Sequence, residues 1–279
     1  MPTGLAHAET DRRPPILRAL ARPRTLALGC IAILAAAGWL YLGLVLAGQT
    51  SGGIFRALCQ PLYGATGTLG AAAALLTFIM WCAMALAMML PTAGPMILTY
   101  ADLAETAAAK GEPASSPLVL TAGYLSVWLG AALALSALQG ALTKVGLLDD
   151  AMSVASPLFA GAIFLLTGAY QFSALKHACV TQCQHPFRFF FANWTVDAGG
   201  VFRLGFRQGL YCLGCCWAMM LLMFAVGVMN VIWMAALGAI MAAEKLARTT
   251  RFSHVLGAIF CAIGLVVIAA AIIGHWPKA

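Results

Sequence analysis

Residues 208–243 read QGLYCLGCCWAMMLLMFAVGVMNVIWMAALGAIMAA, 36 consecutive positions without a charge. As one helix they would run roughly 54 Å at 1.5 Å per residue, nearly twice the ~30 Å hydrocarbon core of a bilayer. The stretch must bend or turn. Gly227-Val-Met-Asn230 is the expected place, because Gly and Asn tolerate turn conformations. Two membrane spans result, at 208–227 and 230–246.

The rest of the chain has the same character. Hydrophobic residues make up 62% of it and charged residues 9%, which excludes an ordinary soluble globular protein. Uncharged intervals also run between Arg24 and Arg56, Arg56 and Asp102, Glu112 and Lys144, Asp150 and Lys176, and Arg251 and Lys278. Each is long enough for a helix of about 20 apolar residues, giving spans at 25–47, 69–92, 117–141, 156–175 and 253–274. The expected fold is all-α: a polytopic helical membrane protein with seven transmembrane helices, six being possible. A basic tail, 1–24, precedes a single transmembrane domain, 25–276.

The net charge of +7 is read as a topological signal, with the lipid bilayer and no nucleic acid as partner. Arg12, Arg13, Arg18, Arg22 and Arg24 precede the first span, which predicts a cytoplasmic N-terminus. The segment Thr25–Ala47 is too long for a signal-peptide h-region and reads as a retained helix. With seven helices, 13 of the 16 Lys and Arg fall on the cytoplasmic side; a single crossing of 208–247 would leave 11. Trp128, Trp194, Trp233 and Trp276 fit interfacial anchors. Asp102 and Glu105 read as a cytoplasmic loop, and Asp149 and Asp150 as an external one. Glu244-Lys245 is expected at a cytoplasmic helix end, with no carboxylate buried inside a span.

Chemistry points to the cysteines, five of the chain's nine standing in two tight groups. Cys179 and Cys183 are four apart, flanked by His177 and His185, and fall just after the fourth helix. Cys212, Cys215 and Cys216 occupy the first turns of the fifth. These spacings put each group on one helix face. On this topology both groups are expected toward the cytoplasmic face, where thiols are kept reduced, so a disulfide framework is not expected. Two such faces brought together would make a thiolate-rich pocket suited to a soft ion such as Cu(I). Met80, Met84 and Met88 repeat at i, i+4, i+8 and would extend this as a thioether relay, although such a row also serves as packing. Pro91 should free a backbone carbonyl four residues earlier and kink its helix. Lys176 either holds a thiolate by charge or snorkels. There is no Walker A sequence, nucleophile elbow or H-E-x-x-H, and no catalytic residue is assigned.

Several blocks carry a resemblance: Trp81-Cys-Ala-Met-Ala-Leu-Ala-Met-Met-Leu-Pro-Thr-Ala-Gly-Pro-Met96, Gly168-Ala-Tyr-Gln171, Leu175-Lys176 with the cysteine pair, Gly209-Leu-Tyr-Cys-Leu-Gly-Cys-Cys-Trp217, Gly227-Val-Met-Asn230, Trp233-Met-Ala235 and Glu244-Lys245. In this order, over residues 78–248, the chain resembles the DUF2182 family of bacterial integral membrane proteins, described as metal-binding. The resemblance implies a multi-pass protein of the bacterial inner membrane. It also implies a His before the Gly-x-Tyr-Cys block, where this chain has Gln208, and a Pro before Leu-Lys, where it has Ala174. If that His were a ligand, the thiols would carry the site alone here.

The expected function is binding of a soft transition metal, Cu(I) foremost, at Cys179, Cys183, Cys212, Cys215 and Cys216. Met80, Met84, Met88, His177 and His185 are further candidate ligands. The metal would be handled, transferred or delivered, with a membrane metalloenzyme or a metal chaperone as partner. Two alternatives stand beside it. One is a membrane thiol–disulfide oxidoreductase using Cys212 and Cys215 as a C-x-x-C pair. The other is a non-catalytic structural subunit of a membrane complex.

Overall fold

The computed structural model describes residues 23–50, 71–148, 153–228, 230–247 and 249–273. The basic tail up to Arg22, together with Arg56, Asp149, Asp150, Arg248, Trp276 and Lys278, lies outside the described residues.

Apolar side chains over long uncharged runs, with prolines mostly in the first turns of helices, give helices throughout. They are α1 (Pro23–Thr50), α2 (Ala71–Met84), a π turn (Ala85–Met89), α3 (Leu90–Ala109), α4 (Pro117–Lys144), α5 (Pro157–Tyr170), α6 (Ala174–Gln184), α7 (Pro186–Ala192), α8 (Ala198–Val226), α9 (Val231–Leu246) and α10 (Thr250–Ile273). Among the described residues there is no strand, only an isolated bridge between Leu148 and Val154. Five stretches are long and apolar enough to cross a bilayer: 24–44, 74–109, 117–144, 198–226 and 250–273. A sixth results if α5 and α6, bent by 64° at a short break, count as one span. The chain is a helical polytopic membrane protein. The expected span at 230–246, which is α9, has 16 residues, about 24 Å at 1.5 Å per residue, which falls short of the core thickness.

The break at 227–230 is where the sequence places it. Gly227 ends α8 at φ 95°, a conformation that favours glycine. Asn230 then caps α9, its side chain accepting from the Trp233 N–H at 3.2 Å.

Other boundaries differ from expectation. The helix carrying Met80–Met96 does not end near residue 92; it runs through Pro91 and Pro95 to Ala109, so Asp102 and Glu105 are helical. Pro91 lacks an N–H and leaves the Ala87 carbonyl without its i+4 donor. The Trp39 indole of α1 donates to that carbonyl at 3.0 Å, so a neighbouring helix satisfies the freed group, as a membrane interior demands. Likewise α8 begins ten residues before the uncharged run, capped by Asp197, whose carboxylate accepts from the Gly200 N–H at 2.6 Å. Arg203 and Arg207 end the apolar stretch but not the helix. The cysteines of α8 therefore lie 14 or more residues inside it, not in its first turns.

The bundle is organised around α8, which packs on α4, α5, α6 and α9, while α5 pairs closely with α10. Trp128, expected at an interface, is instead in the core at 2% exposure. Trp194 and Trp233 remain substantially exposed.

Candidate metal centre

The centre is built where α4 and α8 come unusually close. Gly205 and Gly209 on α8 have the small-xxx-small spacing that lets helix backbones approach within membranes. A Cβ on Gly205 would stand 1.9 Å from the Leu120 carbonyl oxygen, and one on Gly123 2.1 Å from that of Phe202. This contact brings Tyr124 of α4 against α8. Its hydroxyl lies 3.0 Å from Cys212 Sγ and 3.1 Å from the Met89 carbonyl oxygen. The phenol has one proton and serves one of the two.

Cys212, Cys215 and Cys216 share a buried face of α8. Cys215 Sγ and Cys216 Sγ both donate to the Cys212 carbonyl, at 3.1 and 2.9 Å. Cys216 Sγ also contacts Met89 Sδ at 3.8 Å. From α6, which packs on α8, Cys183 lines one cavity with Lys245, the lysine whose Nζ donates to Cys212 Sγ. Thus the two cysteine groups meet. Cys179 stands at the margin: its Sγ would be 2.7 Å from a Cβ added at Gly214, the residue before Cys215.

Lys245 completes the cluster. Its Nζ donates to Cys212 Sγ at 3.0 Å and to Thr92 Oγ1 at 2.7 Å. This places a positive charge beside the sulfur, where it can offset the negative charge of thiolate ligands. The sequence offered Lys176 for that role, and the structure reverses the assignment. Lys176, 0% exposed, donates instead to Glu244 Oε2 at 2.8 Å and to the Cys215 carbonyl at 3.1 Å. Glu244, 2% exposed, accepts a second bond from Ser253 Oγ at 2.5 Å. The expectation that no carboxylate is buried within a span is therefore corrected. Glu244 remains buried because a cation and a hydroxyl surround it.

The methionine row is also rearranged. A π turn, with i→i+5 bonding, adds a residue to one turn and rotates the rest of the helix. Met80 and Met84 stay buried in α2, Met88 packs at Gly238, and Met89 reaches the thiols. His177 is engaged elsewhere: its Nε2 is 3.1 Å from the Gln171 carbonyl oxygen and its ring 5.1 Å from that of His254. His185 lines a cavity together with Cys183. Gln208, one turn before Cys212, is buried; its Nε2 donates to the Gln182 carbonyl, while its Oε1 has no partner.

Among the described residues, no group of three or more His, Cys, Asp or Glu already stands in a metal-holding arrangement. Two of the four clustered thiols, those of Cys215 and Cys216, point at the Cys212 carbonyl of their own helix. Binding a soft ion would require them to lose their protons and turn about χ1.

Tyr124, Met89, Thr92 and Lys245 were not assigned to the site from sequence. Lys245 belongs to the Glu244-Lys245 block and Met89 to the Met88-Met89 pair, so both stood inside recognisable motifs. Thr92 lies in the same Trp81–Met96 block as Met89, whereas nothing local marks Tyr124.

No curated protein and no solved structure matches this chain. One family model does, described as PpoB2, copper chaperone, and it covers residues 78–267. That stretch is 190 of the 279 residues and includes every candidate ligand, the π turn, Lys245 and the buried Lys176–Glu244 pair. The chain belongs to the PpoB2 copper chaperone family.

Proposed function

We infer that this membrane protein binds Cu(I) through the thiols of Cys183, Cys212, Cys215 and Cys216 and hands it to a membrane metalloenzyme. The reading rests on one observation: α6 packs its cysteine face against the cysteine face of α8, with Cys179 Sγ against Gly214, at a cluster that also holds Met89 and Lys245. Thiolates and a thioether suit Cu(I) and offer little to harder ions. Cys179, at the margin, is an auxiliary ligand or a way station. The basic flank of α1 argues for a cytoplasmic-facing site in a bacterial inner membrane. Thiol–disulfide exchange is less favoured, because Cys212 and Cys215 are buried and a partner thiol would have to reach them.

The test is copper stoichiometry by elemental mass spectrometry on protein purified anaerobically. Wild type should carry about one Cu(I), Cys179→Ser should retain it, and Cys183→Ser and the Cys212/Cys215/Cys216→Ser triple should lose it. A triple variant that binds copper like the wild type sinks the assignment.

A further inference from the structure

A cavity of about 880 Å³ opens beside the thiols, walled by Thr92 and Met96 of α3, Cys183, His185, Arg188 of α7 and Lys245 of α9. Lys245 also belongs to the thiol cluster, its Nζ donating to Cys212 Sγ, so the cavity ends on it. Among the described residues its largely apolar lining holds no Asp or Glu, whereas Arg188 and Lys245 contribute two positive charges and His185 an imidazole. The volume is that of a small-molecule pocket and gives far more room than an ion requires.

We propose that this cavity docks a small anionic thiol, of the size of a γ-glutamyl-cysteinyl peptide, which carries Cu(I) to Cys183. The proposal rests on the copper reading above. Charge complementarity identifies the occupant: carboxylates pair with Arg188 in charge-assisted hydrogen bonds, and the two cations repel a bare metal ion. Softness identifies its copper ligand, since a thiolate holds Cu(I) and can pass it on. In the transfer, the donor sulfur–copper bond breaks as a Cys183 sulfur–copper bond forms. The donor sulfur leaves as a thiol with the proton that Cys183 gives up, and no electron moves.

The test uses the full chain in nanodiscs, with glutathione as the probe and Cu(I) supplied from either glutathione or a small-molecule chelator. Wild type should bind glutathione saturably and load copper from it. Arg188→Ala should bind glutathione about tenfold more weakly and load from it correspondingly slowly, with unchanged Cu(I) affinity against the chelator. Ala239→Phe, filling the cavity wall without touching a charge, should do the same. S-methylglutathione should compete for docking and deliver no copper. If Cu(I) binds from the chelator but glutathione does not bind, or binds equally in both variants, the donor proposal fails and the copper reading stands. If glutathione binds and no copper is taken from either source, the copper reading fails and the donor role with it. If phosphatidylglycerol nanodiscs abolish glutathione binding that neutral ones allow, the occupant is a lipid headgroup and the proposal is overturned.

Discussion

Lys245 Nζ stands 3.0 Å from Cys212 Sγ and donates to it, joining α9 to the cysteine face of α8. A cation there would compensate the charge of a thiolate-bound metal. Lys245→Met keeps the stem and removes the ammonium. It is expected to weaken Cu(I) binding by at least about tenfold while leaving the fold intact, with charge-assisted hydrogen bonds worth roughly 1.5–3 kcal/mol. Competition against a Cu(I) chelator, beside a circular dichroism melt, separates the two effects.

The Trp39 indole replaces the donor that Pro91 lacks. Trp39→Phe leaves the Ala87 carbonyl unpaired in an apolar surround, at a cost of about 1–3 kcal/mol. Thermal unfolding in detergent should show the loss. If Tm is unchanged, this hydrogen bond does not stabilise the fold.

Gly205 sits where α4 and α8 touch. Gly205→Val must push the helices apart, moving Tyr124 away from Cys212. Both stability and copper stoichiometry should fall together. Tyr124→Phe, which keeps the packing, should lower copper affinity with a much smaller change in Tm.

Breaking the buried Lys176–Glu244 pair on one side leaves the other charge unpaired. Glu244→Gln and Lys176→Met are each expected to destabilise by roughly 3–5 kcal/mol, and the double variant by much less than their sum. A double-mutant cycle in denaturant measures the coupling, and additive losses would refute it.

Asp197 accepts from the Thr195 hydroxyl and the Gly200 N–H, and these bonds hold its carboxyl below the ordinary 3.8. Its folded value is thus lower than its unfolded one. The cap's contribution is present above the unfolded value and is lost as pH falls through the folded value. Asp197→Asn should flatten the dependence of Tm on pH below about 4 without altering it at neutrality.

Much of this molecule was legible in its residues. The helical membrane class follows from composition, because no other structure satisfies so many apolar residues and their backbone polar groups at once. Gly227 and Asn230 marked a break, and Pro91 marked a freed carbonyl. Helix ends were harder to read: α8 starts at a cap, Asp197, rather than where its charges stop, and α3 continues past two prolines. The methionine row was read on an unbroken helix, and one π turn exchanged Met88 for Met89 at the thiols. Lys176 and Lys245 were exchanged for a similar reason. Sequence proximity to a cysteine says little about which helix face will meet it.

Sequence alone determined which chemistry is present: a bilayer-embedded helical chain with two cysteine groups, each confined to one helix face by its spacing. Whether those faces meet was decided only by the tertiary structure. That depends on helix rotation and separation, set here by glycines with no side chain at the α4–α8 contact, by the π turn and by the buried Lys176–Glu244 pair. These terms act between residues 35 to 88 positions apart in the closest side-chain contacts of Tyr124, and no local pattern encodes them.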